Sequence, residues 1–214
     1  RRSDLHLQYD AAARPIMVVI IRRYLLKRYL LTLAALVMIA AVGSPAFASS
    51  GNLNFNLGGR SLSDNNWDRW DSQTSFGATV DFEIKGWPVE LEGCLQGSNR
   101  TESVLGNDVT GSVHEICFGA HKRWDLKPAK MHVFAGAGLA NVTAKFDGGG
   151  INESDSSIGE YIHGGIFWRL GHRFNLGFDG RVMLGTNITL NGASGDANYT
   201  QLGVLLGFGW PASK

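Results

Sequence analysis

Cys94 and Cys117 are the only two cysteines in a chain of 214 residues, and each stands where apolar and polar residues alternate. On neighbouring antiparallel strands turning near residue 105 or 106 they face one another, at the roughly 4.5–5.5 Å between Cβ atoms of opposed strand residues. An oxidising compartment permits a disulfide there, and two buried thiols are the other state open to the pair. Charges share the same face: Asp81, Glu83, Glu90, Glu92, Glu115 and Asp179 against Arg60, His121, Arg123, Arg169 and Arg181. Buried charges are costly unless paired. Glu90, Glu92, Glu115, His121, His163, Asp179 and Arg181 are therefore expected to form one network. Centring the hairpins on their turns sets Glu90 beside His121, His163 beside Asp179 and Tyr161 beside Arg181, and brings Arg181 toward Glu90 or Glu92 across the interior. Such a network is either a structural plug or a gate whose pairs exchange to pass small ions.

Other groupings carry less. Ser112 and His114 share a face and could begin an acyl-hydrolysis site, but Glu160 lies two strands away and Glu115 points to the opposite face, so no acid orients His114. His121 and His132 become neighbours around a turn at 125 to 129, and without a third ligand they remain ordinary polar residues rather than a metal centre. The stretch from Asp147 to Asp155 offers acidic oxygens without the spacing of a calcium loop, and reads as a hydrated loop. Gly136-Ala-Gly138 sits inside a strand, not at a strand-to-helix turn, so it is not a phosphate cradle. No metal and no cofactor is expected.

The segment ahead of these residues is an export signal. Arg22, Arg23, Lys27 and Arg28 precede the apolar run Leu30 to Val42 and the small-x-small ending Ser44-Pro-Ala-Phe-Ala48, which together make a cleavable signal peptide at 22–48. Residues 1–21 read as an upstream extension and the start of the leader, with Met17 the first methionine, and 49–214 as a single domain. Residues 1–48 hold seven of the 20 Lys and Arg and two of the 19 Asp and Glu, leaving 13 basic against 17 acidic residues, a net of −4. The basic balance belongs to the leader, so nothing argues for nucleic-acid binding.

Eight alternating stretches fill the rest, at about 51–59, 74–84, 87–98, 110–124, 130–144, 157–170, 173–186 and 198–210. The seventh puts Phe174, Leu176, Phe178, Val182 and Leu184 against Asn175, Gly177, Asp179 and Arg181. A soluble sandwich also alternates, but strands this long suit a tilted membrane crossing, which needs about 9 to 11 residues in hydrocarbon. The gaps alternate as well. Short turns stand near 85–86, 125–129 and 171–172, and long connections at about 60–73, 99–109, 145–156 and 187–197, rich in Gly, Asn, Asp and Ser and expected to be mobile and hydrated. Trp87, Trp124, Trp168 and Trp210 all fall at the short-turn rim, as an aromatic girdle at the periplasmic interface would. Trp67 and Trp70, in the first long loop, are candidate contact residues; the alternative is a loop packed on its own aromatics.

These features resemble the small eight-stranded outer membrane β-barrel proteins, the OmpA-like transmembrane barrel and the opacity type. The likeness covers residues 49–214 and rests on the leader, the strand count, the loop rhythm and segments such as Val133-Phe-Ala-Gly-Ala-Gly-Leu139 and Leu202-Gly-Val-Leu-Leu-Gly-Phe-Gly-Trp210. The ending departs from the pattern, since Pro-Ala-Ser-Lys214 follows Trp210 where such barrels finish on an aromatic residue. The expectation is an all-β, eight-stranded antiparallel up-and-down transmembrane β-barrel in the cell outer membrane, monomeric and not an enzyme, its interior filled by side chains. Its partners would be outer membrane lipids and lipopolysaccharide, the outer membrane assembly machinery and an extracellular ligand of the loops. The role expected is a scaffold presenting four extracellular loops and supporting envelope integrity, with a narrow or gated pore as the alternative and a lipid A-modifying barrel enzyme as the weaker one.

Overall fold

Alternation of apolar and polar residues builds strands with two unlike faces, and here the strands close into one barrel. The computed structural model describes residues 48–126, 130–190 and 192–210, so the leader, apart from its last residue, lies outside them. The barrel consists of β1 (Ala48–Leu62), β2 (Ser72–Ile84), β3 (Glu90–Val104), β4 (Asn107–Leu126), β5 (Met131–Gly148), β6 (Ile151–Leu170), β7 (Phe174–Leu184) and β10 (Tyr199–Trp210). Each strand pairs antiparallel with its neighbour in the barrel, and pairing of β1 with β10 closes the circle. A two-stranded hairpin, β8 (Ile188–Leu190) with β9 (Ala193–Gly195), stands in the last connection, and a short 3-10 helix, Asn65–Trp70, in the first.

Burial is inverted relative to a soluble protein. Leu53, Phe55, Leu57, Phe76, Leu95, Phe118, Leu139, Ile162, Phe178, Leu202, Val204, Leu206 and Phe208 point outward and are exposed, while Asn52, Arg60, Asp81, Glu92, Glu115, Asn175, Arg181 and Gln201 are buried inside. The outward apolar run spans Leu202 to Trp210 on β10, nine residues, which suits the hydrocarbon thickness a tilted strand crosses. Trp87 and Trp124 are exposed and Trp168 and Trp210 half-buried. All four sit at the rim where β1 begins at Ala48 and β10 ends at Trp210, the proximal rim, and the opposite rim is distal.

The distal connections differ from the expected pattern. Two of the four long loops are strand: β3 and β4 run on to a turn at Leu105–Gly106, and β5 and β6 to one at Gly149–Gly150. The stretch from Asp147 to Asp155 is therefore a hairpin tip and not an open loop. Both turns are tight because both of their residues take positive φ, 51° and 81° in the first and 61° and 84° in the second, the geometry that matches strand twist. Polar residues on both faces had hidden these extensions. Cross-strand bonds hold them: Thr101 with Thr110, Ser103 Oγ donating to Asp108, and Thr143 with Ser156.

Two registers also differ. Opposite His163 stands Arg181, not Asp179, and opposite Tyr161 stands Met183, because the turn after β6 holds three residues. His132 pairs with Asp125, and His121 with Gly136, because β4 and β5 extend to Leu126 and Met131. The two histidines are thus not neighbours.

Candidate functional site

The interior is crossed by side chains at successive levels, each supplied by the inward positions of several strands. Nearest the proximal rim, Asn52 donates to Asp81 at 2.7 Å, Arg169 donates to Asn52 at 2.7 Å, and Asn175 bridges Asn52 and Asn54 at 3.0 and 3.1 Å. Arg123 donates to Glu90 at 3.0 Å there, and His132 meets Asp125 at 2.7 Å.

Glu92 is the centre of the next level. One of its oxygens meets His121 Nδ1 at 2.8 Å and His163 Nε2 at 3.0 Å, and the other accepts from the Tyr161 hydroxyl at 2.5 Å. Behind the imidazoles stand further carboxylates, Glu90 at 3.4 Å from His121 Nε2 and Asp179 at 3.6 Å from His163 Nδ1. Glu90 and His121 are opposed in register. His163 and Asp179 are not, and meet on the diagonal.

Above this, Cys94 and Cys117 are directly opposed and joined as a disulfide, with their Cα atoms 4.9 Å apart. Arg181 points one nitrogen at both sulfurs, 3.2 Å from each, and lays its guanidinium 4.4 Å over the Tyr161 ring. Its carboxylate neighbour is Glu115, at 3.8 Å. This corrects the expectation that Arg181 reaches Glu90 or Glu92: those two are taken by Arg123, His121 and His163, one layer nearer the proximal rim. Glu115 is shared with Arg60, which donates to it and to Gln201, and with Tyr199, whose hydroxyl lies 2.7 Å away. Tyr199 and Gln201 were missing from the expected network. They lie on inward positions of β10, and strand parity alone would have found them.

The distal mouth is filled by apolar packing. Leu62, Trp67, Val113, Val142, Ala144, Met183, Ile188 and Tyr199 belong to one buried cluster, against which Trp70 and Phe146 pack. Trp67 is 4 % exposed and donates to the Asp196 carbonyl at 2.8 Å, and its ring lies 5.2 Å from Phe146. Trp70 donates to the Val109 carbonyl at 3.1 Å and also packs on Phe146. Trp67 is therefore not a free contact residue: the 3-10 helix turns it inward as part of a lid. Asp64 ties this lid to the last connection, accepting from the Asn66 amide at 2.8 Å and the Asp196 amide at 2.7 Å. These two amide bonds hold its carboxyl below the usual aspartate value. Further bonds run from Thr189 to Asp155 and from Asn187 to Ser157, so lid and hairpins form one distal assembly.

Ser112 and His114 do not form a reactive pair. Ser112 is buried, His114 is exposed with Phe76 beside it over Gly97, and among the described residues no hydrogen bond links the two.

A closed ring of eight strands with a polar filling and an apolar exterior is found in solved structures. Neisserial surface protein A superposes with a TM-score of 0.56 at 14 % identity, over 74 % of this chain and 95 % of that one. This chain has the fold of the small eight-stranded outer membrane barrels. OprG, an outer membrane protein from Pseudomonas aeruginosa, matches at 0.56 and 11 % identity over 78 % of this barrel's chain and 98 % of its own. Ail, the attachment invasion locus protein of Yersinia pestis, in complex with the heparin analogue sucrose octasulfate, matches at 0.53 and 13 % identity over 75 % and 98 %. No family model and no curated protein matches the sequence.

Proposed function

We propose that this chain is an integral outer membrane protein whose barrel is a non-catalytic scaffold, exported through the periplasm and holding its distal assembly outside the cell. The observation that carries the reading is the continuous belt of exposed Leu, Phe, Ile and Val around a lumen of paired charges. In water that belt would cost about 25 cal/mol for each Å² left exposed; in a bilayer it meets hydrocarbon, while the closed circle of strands leaves no unpaired edge. Lipids and lipopolysaccharide surround the belt, the outer membrane assembly machinery inserts it, and the monomer is complete in itself. The distal hairpins supply the surface for an extracellular ligand, with pairs such as Arg100–Glu102 and Lys145–Asp147 on them.

The filled interior supports a scaffold over a pore. The space beside Glu92, His121 and His163 is about 20 Å³, room for about one water and not for a continuous file of them. An epitope inserted at Leu105–Gly106 or at Gly149–Gly150 is expected to bind antibody on intact cells, and the purified barrel to give no discrete conductance in a planar bilayer. An epitope reached only after the cells are lysed would reverse the orientation. Discrete conductance steps that change in Arg181→Ala would replace the scaffold by a gated pore, and an altered set of lipid A species in cells making the protein would replace it by an enzyme.

A further inference from the structure

Glu92 on β3, His121 on β4 and His163 on β6 come from separate strands, yet a carboxylate oxygen and a ring nitrogen from each imidazole lie within 4.8 Å of one another. We propose that these three residues form a lumenal binding site for a divalent transition-metal ion, and that zinc suits it. Two imidazoles and one carboxylate are a common zinc donor set, with metal–ligand distances of about 2.0–2.2 Å. Tetrahedral ligands at such distances stand about 3.3 Å apart, and here the Glu92 oxygen is 2.8 Å from His121 Nδ1 and 3.0 Å from His163 Nε2. The two Glu92 gaps must open by a few tenths of an ångström, and the imidazole nitrogens, within 4.8 Å of one another, must settle at about the same 3.3 Å.

Three features of the site point to a ligand. The His163 side chain is only 4 % exposed, and its ring nitrogens face carboxylates, Glu92 at 3.0 Å and Asp179 at 3.6 Å, without a well-formed hydrogen bond to either. Beside it is a cavity of about 20 Å³ lined by Asp81, Glu92, His121, His163 and Asp179, enough to seat one water as a fourth ligand. Each imidazole also has a carboxylate behind its other nitrogen, Glu90 for His121 and Asp179 for His163. That second carboxylate is what orients metal-bound histidine and raises its basicity. Tyr161 occupies the far oxygen of Glu92 and leaves the near one to the ion.

Charge favours the same occupant. Asp81, Glu90, Glu92 and Asp179 are buried here, against the guanidiniums of Arg123, paired with Glu90, and Arg169, bonded to Asn52, while Arg181 lies a layer away with Glu115. A divalent cation offsets the surplus of carboxylates in a lumen where unpaired charge is expensive. Because β3, β4 and β6 each contribute a ligand, the ion would staple the barrel across its interior.

The test uses the folded barrel without a histidine tag, stripped by chelator, equilibrated with zinc, dialysed and assayed for metal. One zinc per chain is expected. His163→Gln should bind zinc at least tenfold more weakly, and Asp179→Asn should lose about 10- to 100-fold in affinity while keeping the site. Both variants should retain heat-modifiable migration on a gel, which reads folding separately. Affinity should fall as the pH is lowered from 7.5 to 5.5, since the donors must be deprotonated. X-ray absorption of the zinc-loaded wild type should count two imidazoles, a reading that needs no variant to fold. The proposal is overturned by a folded wild type that takes up no stoichiometric zinc, by a folded His163→Gln that binds it equally well, or by a zinc shell with fewer than two imidazoles.

Discussion

Glu115 is fully buried and answers to Arg60, Arg181 and Tyr199 at once. Removing it leaves two guanidiniums facing each other in a dry lumen, whereas removing a surface charge leaves a solvated one. Glu115→Ala is therefore expected to lower unfolding free energy by about 3–5 kcal/mol, the cost of an uncompensated buried charge, in denaturant titrations of the barrel in lipid vesicles. A loss below about 1 kcal/mol would mean that water reaches the pair. Asp64 acts at the surface instead. Its folded carboxyl titrates below its ordinary value of 3.8 because the Asn66 and Asp196 amides donate to it, so the charged form favours the closed lid. That contribution is complete above pH about 3.9, the value in an unfolded chain, and fades as the pH falls through the lower folded value. Protection of the Asn66 and Asp196 amides, measured against the intrinsic exchange rate at each pH, should fall below pH 3.8 in the wild type, and Asp64→Ala should show the low protection at neutral pH. Equal rates in both proteins at pH 7 would remove Asp64 as the tie.

The hairpins β3–β4 and β5–β6 continue past the apolar belt as paired strands. Their backbone bonds predict slow exchange across 99–111 and 144–154, comparable with the belt and slower than at the lid residues 63–66. Exchange within seconds along both hairpins would return them to the class of mobile loops. Gly150, at φ 84°, is strained by any branched side chain, so Gly150→Val should speed exchange at the β5–β6 tip and leave the belt unchanged; the expected cost is about 1–3 kcal/mol. How much the sequence revealed follows from the same elements. In the belt one face is apolar, so period-two alternation named all eight barrel strands and placed Glu90 opposite His121 and Cys94 opposite Cys117. Beyond the belt both faces are mostly polar, and Thr101, Ser103, Ser154 and Ser156 read as loop although they pair as strand. Turn length was the other blind spot. One more residue after β6 moved Arg181 opposite His163, and two more in β4 moved His132 from His121 to Asp125. Contacts across the lumen, such as His163 with Glu92 or Arg60 with Glu115, depend on barrel closure and side-chain reach, which no spacing along the chain encodes.

As a whole, the molecule is an inside-out protein whose polar residues pair within and whose apolar residues face away. Closing the ring removes every edge in the barrel, the lumenal network pins the strands to one another, and the apolar lid shuts the distal mouth. Each feature is consistent with a hydrocarbon surround and none needs a bound substrate. Fractionating cells that make the protein, then comparing unheated and boiled samples of the outer membrane on a gel, tests that arrangement most directly. The barrel should be found in the outer membrane fraction, leave it only with detergent, and migrate as a compact band until boiling unfolds it. A compact chain recovered from periplasmic extract without detergent, migrating alike before and after boiling, would contradict the account.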